Sequence, residues 1–304
     1  MAERELGGGV RVGLLGLDMS HAIEFTSRLN DPMHPEHVPG ARVVAGWPGG
    51  SKDFELSWSR VGKFTAQVRD QFGVTILDSP EAVAEAVDLI FITAADGRVH
   101  RELFERVLPF GRSMFIEKPI ATSLADAKAI FSAANSAKIG VMSCSTARFG
   151  EPLEAALRED LGAVIGCDVF GPMPEEAMQP GLFWYGVHSL EVVNVIMGRG
   201  CREVRAFRND DCDLLTAVWG DGRVATFRGL RKGEWKFGAT IHREKGFQFV
   251  DLIHNSWFKP TIERMLSTLP KGQTPVDQAD TLEIIAMIEA ANVSRATGGV
   301  VKVG

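Results

Sequence analysis

Glu117-Lys118-Pro119 sets a carboxylate beside an amine directly after the apolar run Met114-Phe115-Ile116. If that run is a strand of a parallel sheet, both groups lie at its C-terminal edge, where such folds bind ligands. A partly buried amine beside other charges has its pKa lowered, which suits Lys118 to proton transfer or to polarising an oxygen. The proline permits a cis peptide after Lys118 at a cost of about 0.5–1 kcal/mol. Alone, the tripeptide reads more readily as a surface ion pair before a turn. A second segment, Gly16-Leu17-Asp18-Met19-Ser20-His21, follows the apolar run at 10–15. A nucleotide-binding turn places G-x-G-x-x-G there, so that backbone approaches a pyrophosphate and a helix N-terminus faces it. Only Gly16 is in register. Asp18 stands at the second glycine and repels a phosphate unless it turns away to cap the helix; Ser20 is a substitute donor. Gly13 and Gly16 also suit any buried strand end.

The elements that must position these groups are legible from periodicity. Runs at 10–15, 43–47, 74–77, 89–93, 113–116 and 139–144 alternate with helical stretches, which predicts a doubly wound parallel sheet. Ser123-Leu124-Ala125-Asp126 reads as a capping box opening an alanine-rich helix that ends near Lys138. After Phe149, strand-like runs at 163–170, 203–208, 213–219, 223–228 and 236–242 succeed one another and predict a mostly antiparallel open sheet in an α+β domain. Gly220-Asp221-Gly222 is the expected hairpin turn, and a last helix runs from near Asp277 to a glycine cap at Gly298-Gly299. The fold class is therefore α/β: a Rossmann-type domain over residues 1–145, then an α+β domain over 146–304.

Composition narrows the function classes. The chain has 304 residues, 45% of them hydrophobic, enough for two ordinary cores. Its 33 basic and 39 acidic residues leave a formal charge of −6, with no general attraction to nucleic acid or an anionic membrane. Four cysteines without C-x-x-C pairing do not make a disulfide framework and point to a reduced, cytoplasmic compartment. The start of the chain shows no secretion signal, and no apolar stretch nears the roughly 20 residues of a spanning helix. His21 and His100, with His34 and His37, raise a metal alternative, but no tight ligand spacing supports it and no metal is expected.

Glu-Lys-Pro after the fifth strand, the first-strand segment and the domain order resemble the glucose-fructose oxidoreductase and inositol dehydrogenase family, Gfo/Idh/MocA, over nearly the whole chain. The run 87–93 with Asp96 and His100 is similar to the family's fourth strand and cofactor loop, and Arg148-Phe149 to its arginine-phenylalanine pair. Gly186-Val187-His188-Ser189-Leu190-Glu191 resembles its G-x-H-x-x-D helix; residues three apart share one helical face. The resemblance implies NAD or NADP in the first domain, held by Gly16, Leu17, Asp18, Ser20, His21, Ser51, Thr93, Asp96, Glu117 and Lys118. It implies catalysis by Lys118, His188 and Glu191, with Arg148, Trp184 and His188 around the substrate. The implied activity is hydride transfer between nicotinamide and a hydroxylated small molecule, by a homodimer or homotetramer joined through the C-terminal sheet.

The departures define a divergent branch. Trp184 stands where sugar and polyol dehydrogenases of the family carry an aspartate, and Glu191 replaces a later one. Tryptophan cannot relay protons. After Trp47 no acid is in register for an adenosine ribose, and Ser51 with Lys52 leans toward NADP. These losses support an alternative: a catalytically degenerate ligand-binding or regulatory protein on the same fold.

Overall fold

The computed structural model describes residues 9–252 and 257–304. The start of the chain at residues 1–8, read as lacking a secretion signal, lies outside the described residues. Two compact units result, each assembled from separated segments of chain.

Among the described residues, the first unit comprises 9–121, 128–143 and 258–276. Its strands are β1 (Val10–Leu15), β2 (Ala41–Trp47), β3 (Thr75–Ile76), β4 (Leu89–Ile92), β5 (Ser113–Ile116) and β6 (Val141–Met142). They run in the order β3-β2-β1-β4-β5-β6, every neighbouring pair parallel. This is the expected doubly wound order, whose strand-order reversal between β1 and β4 opens a crevice at the carboxyl ends. Helices α1 (Ser20–Asn30), α2 (Glu55–Phe72), α3 (Pro80–Ala86), α4 (His100–Val107) and α5 (Leu124–Ala137) fill the connections. The capping box at α5 is formed, Ser123 Oγ accepting from the Asp126 amide at 3.1 Å and donating to its carboxylate at 2.7 Å. Phe25, Phe91 and Phe115 meet edge to face at 5.3–5.6 Å in the core, a preferred aromatic arrangement.

Among the described residues, the second unit comprises 122–127, 144–252, 257 and 277–304. After α6 (Glu151–Arg158) it runs β7 (Val164–Pro172), α7 (Gly186–Met197), β8 (Cys201–Arg208), β9 (Cys212–Trp219), β10 (Val224–Leu230), β11 (Gly238–Arg243) and β12 (Gly246–Asp251). The chain between, α8 (Phe258–Thr268), belongs to the first unit; α9 (Gln278–Thr297) and β13 (Val301–Lys302) complete the second. The sheet order is β12-β11-β7-β10-β9-β8-β13, antiparallel except for the β7–β10 pair. Gly220-Asp221-Gly222 turns β9 into β10, and Asp277 and Gly298 cap α9.

The observed units differ from a division at 145/146 in three segments, the shortest being Cys144 and Ser145, which fall in the second unit. Residues 258–276 return to the first unit because Phe258 packs edge-on against Phe25 and His21 at 5.6 and 5.0 Å. Residues 122–127 count with the second, where Glu289 accepts from the Leu124 amide at 2.8 Å. Among the described residues no helix is long and apolar enough to cross a membrane.

Candidate functional site

Ten residues expected to hold a cofactor lie at or beside the carboxyl edge of the parallel sheet, and most spend their polar groups within the protein. Gly16 adopts φ +95°, and a Cβ there would come within 2.4 Å of the Ala94 backbone. Its carbonyl accepts from the Thr93 hydroxyl at 2.6 Å. The Gly16 and Leu17 amides donate to the carbonyls of Trp47 and Pro48 at 3.0 and 2.7 Å. The turn is thus stitched to the ends of β2 and β4, and Leu17 is fully buried.

Asp18 neither faces solvent nor caps α1, whose N-cap is Met19. It is 1% exposed. Its carboxylate accepts from the Ser57 hydroxyl at 2.6 Å and from the Ala95 amide at 3.0 Å. Ser57 Oγ in turn accepts from the Ser51 amide at 2.8 Å. Burial pushes the Asp18 carboxyl above its usual pKa, more strongly than these bonds pull it down. Asp96 is the contrary case: burial raises it, but Arg98 and Ser51 outweigh that and hold it low. Arg98 also grips Asp53 of the β2–α2 loop with two bonds of 2.9 and 3.0 Å.

At the other side of the edge His21, in the place of the third glycine, sets its Nδ1 2.8 Å from Glu117 Oε2. Glu117 is buried, and its second oxygen accepts from the Lys118 amide at 3.0 Å. Burial acts to raise the Glu117 pKa, yet His21 and Lys118 hold it below the ordinary value. Burial lowers that of Lys118 against the pull of Glu117. The Lys118–Pro119 peptide is cis, as expected. Ser20 is exposed at the start of α1. His100 does not face His21: its two ring nitrogens lie 2.9 Å from the carbonyls of Pro119 and Ala94. His34 and His37 contact the Glu36 amide and the Arg28 carbonyl. Among the described residues no cluster of three or more His, Cys, Asp or Glu is placed for a metal ion.

In the second unit α7 is buried on nearly every side, which its apolar sequence allows. His188 lies 2.7 Å from the Ser145 hydroxyl, its ring between Tyr185 and Phe237 at 5.5 and 5.8 Å. Glu191 does not orient His188. Its carboxylate takes Arg148 at 2.7 Å and the Ser145 amide at 3.3 Å. Burial pushes Glu191 above the usual range, with Arg148 opposing. Arg148 also donates to Asp280 at 2.6 Å and to Asn194 at 3.3 Å, so its fork is a clamp among α7, α9 and the turn before α6. Trp184 is half-buried, edge-on to Tyr185 at 5.7 Å. Sequence reading missed Ser57, Ser145, Asp280 and the rings of Tyr185, Trp235 and Phe237. The one available signal was that Tyr185 is the chain's single tyrosine and adjoins Trp184.

At the first unit's edge a carboxylate occupies the second-glycine place, and the hollow beside it, lined by Asp18, Trp47, Gly50, Ala94, Leu103 and Arg106 among others, is about 90 Å³.

Residues 55–143 match the family described as "Oxidoreductase family, NAD-binding Rossmann fold", GFO_IDH_MocA. The match runs from α2 to just past β6 and begins after the altered turn at Gly16–His21. No curated protein matches the chain significantly. Solved structures share its fold. A myo-inositol dehydrogenase from Lactobacillus casei, in complex with NAD(H) and myo-inositol, is 17% identical, with TM-score 0.76 and 97% of each chain covered. An oxidoreductase from Agrobacterium radiobacter with NAD+, L-tartaric acid and magnesium is 18% identical, covering 96% of this chain and 98% of that one at TM-score 0.76. A scyllo-inositol dehydrogenase from Lactobacillus casei is 14% identical, covering 97% and 98% at TM-score 0.79. The resemblance and fold class expected from the sequence are borne out, and the matched family's description, an oxidoreductase with an NAD-binding fold, agrees with the expected NAD(P)-dependent dehydrogenase.

Proposed function

We propose, on the premise of this resemblance to the Gfo/Idh/MocA oxidoreductases, that the chain is an NAD(P)-dependent dehydrogenase acting on a CH–OH group of a sugar, polyol or derivative. The observation that carries the reading is Lys118. It is a buried amine at the carboxyl edge of the sheet, beside Glu117, with its pKa lowered by burial. A group so placed serves proton transfer to or from a hydroxyl, because a catalytic pKa works best near the operating pH. His188 is the candidate of the second unit; its ring lies 2.7 Å from the Ser145 hydroxyl and packs edge-on with Tyr185 and Phe237, which fixes its orientation. Glu191 and Arg148 support it by holding α7 in place.

The test is nicotinamide reduction with a panel of polyols, followed by absorbance of the reduced cofactor. Lys118→Ala and His188→Ala should each lower turnover by roughly 100-fold or more with dinucleotide affinity little changed. Full turnover in both would remove these assignments. Tighter binding of NADP than of NAD is expected from Ser51 and Lys52 and is checked by titrating both.

The second reading, a degenerate ligand-binding or regulatory protein, is favoured by one observation, the buried carboxylate of Asp18. It predicts no turnover in the wild type and a gain in Trp184→Asp, which restores an acid at the family position.

A further inference from the structure

We infer that Asp18 sets the affinity of this chain for a dinucleotide: its carboxylate occupies the phosphate-facing place of the β1–α1 turn and must leave Ser57 and Ala95 before a pyrophosphate can seat there. The inference rests on the dehydrogenase reading and adds a residue that opposes cofactor entry.

The geometry carries it. The second glycine of a dinucleotide turn exists so that backbone can approach phosphate without a side chain between. Here that side chain is present, a carboxyl that is 1% exposed. Its two partners lie on the chain segments that follow β2 and β4. Ser57 stands on α2, reached through the β2–α2 loop, and Ala95 follows β4. The carboxylate therefore bridges the walls between which a dinucleotide would run. The amides of Gly16 and Leu17 already donate to Trp47 and Pro48 and offer nothing to a ligand. A pyrophosphate at this place would meet the Asp18 carboxyl and lose the Ala95 amide to it. Once Asp18 swings out, the Ala95 amide and the Ser57 hydroxyl become two donors for the arriving phosphate, so the contact that blocks the site also keeps its donors in position.

The experiment measures NAD and NADP affinity by calorimetry for the wild type, Asp18→Asn, Asp18→Gly and Ser57→Ala, with circular dichroism confirming that each is folded. Asp18→Asn keeps the shape and guards against a glycine variant that fails to fold. The expected result is at least tenfold tighter binding in Asp18→Gly and a smaller gain in Asp18→Asn. Ser57→Ala, which loosens the carboxyl but leaves it in place, should gain less than either. Equal or weaker binding in both Asp18 variants, with a wild type that binds, overturns the inference and leaves the dehydrogenase reading standing. Absence of binding in every folded variant overturns both.

Discussion

Two buried carboxylates at one sheet edge respond to pH with opposite sign. Glu117 is held below the usual glutamate value of 4.5 by His21 and Lys118. Its contribution is present above pH 4.5 and is lost as pH falls through the lowered folded value. Glu117→Gln should therefore cost about 3 kcal/mol at neutral pH in urea denaturation, with the gap to wild type closing in acid. Asp18 is raised above 3.8, burial being the main cause. The folded state holds that proton more tightly, so its contribution is full below 3.8 and is lost as pH rises through the folded value. Wild type should lose stability relative to Asp18→Asn over that rise. In the second unit Arg148→Ala leaves Glu191 buried and unpaired, which should cost about 3–5 kcal/mol. Adding Glu191→Gln should cost less than the sum of the single changes, with a coupling of about 0.5–3 kcal/mol. Among these groups Glu117, Lys118 and His188 were legible as candidates because strand ends and helix starts announce themselves locally. Asp18's inward turn was not, since its partner Ser57 lies far along the chain on another element, and the same holds for Ser145 with His188.

At the scale of elements, the turn after β1 tolerates no side chain at its first glycine. Gly16→Ala meets both a left-handed φ and the Ala94 backbone, whereas Gly111, at φ +65°, has nothing within 4 Å of an added Cβ. Thermal and urea melts should show about 1 kcal/mol lost in Gly111→Ala and about 3 kcal/mol or more in Gly16→Ala. The parallel sheet was readable strand by strand because buried parallel strands are continuous apolar runs bounded by turns. The second sheet was readable only in part. β12 carries the aromatics Phe247 and Phe249 on its outward face, where an ordinary half-solvated strand is polar, and β13 has two residues. The parallel pairing of β7 with β10 depends on which strands meet, and periodicity does not encode that.

For the whole molecule, the edge strand β12 of the second sheet leaves Phe247 and Phe249, two residues apart on one face, at 72% and 62% exposure. Exposed large aromatics mark association surfaces when they are grouped. Sedimentation should find a dimer or tetramer, and Phe247→Asp with Phe249→Asp should shift it toward the monomer; a wild type that is monomeric at high concentration would end that expectation. The return of residues 258–276 to the first unit has a consequence for synthesis. A ribosome delivers the parallel sheet long before the helix whose Phe258 covers Phe25 and His21. Chains lengthen at roughly 5–20 residues per second, so this face waits on the order of ten seconds for its cover. A nascent chain halted near residue 145 should be cut by protease at α1 and bind a holding chaperone, whereas one released after residue 276 should resist both.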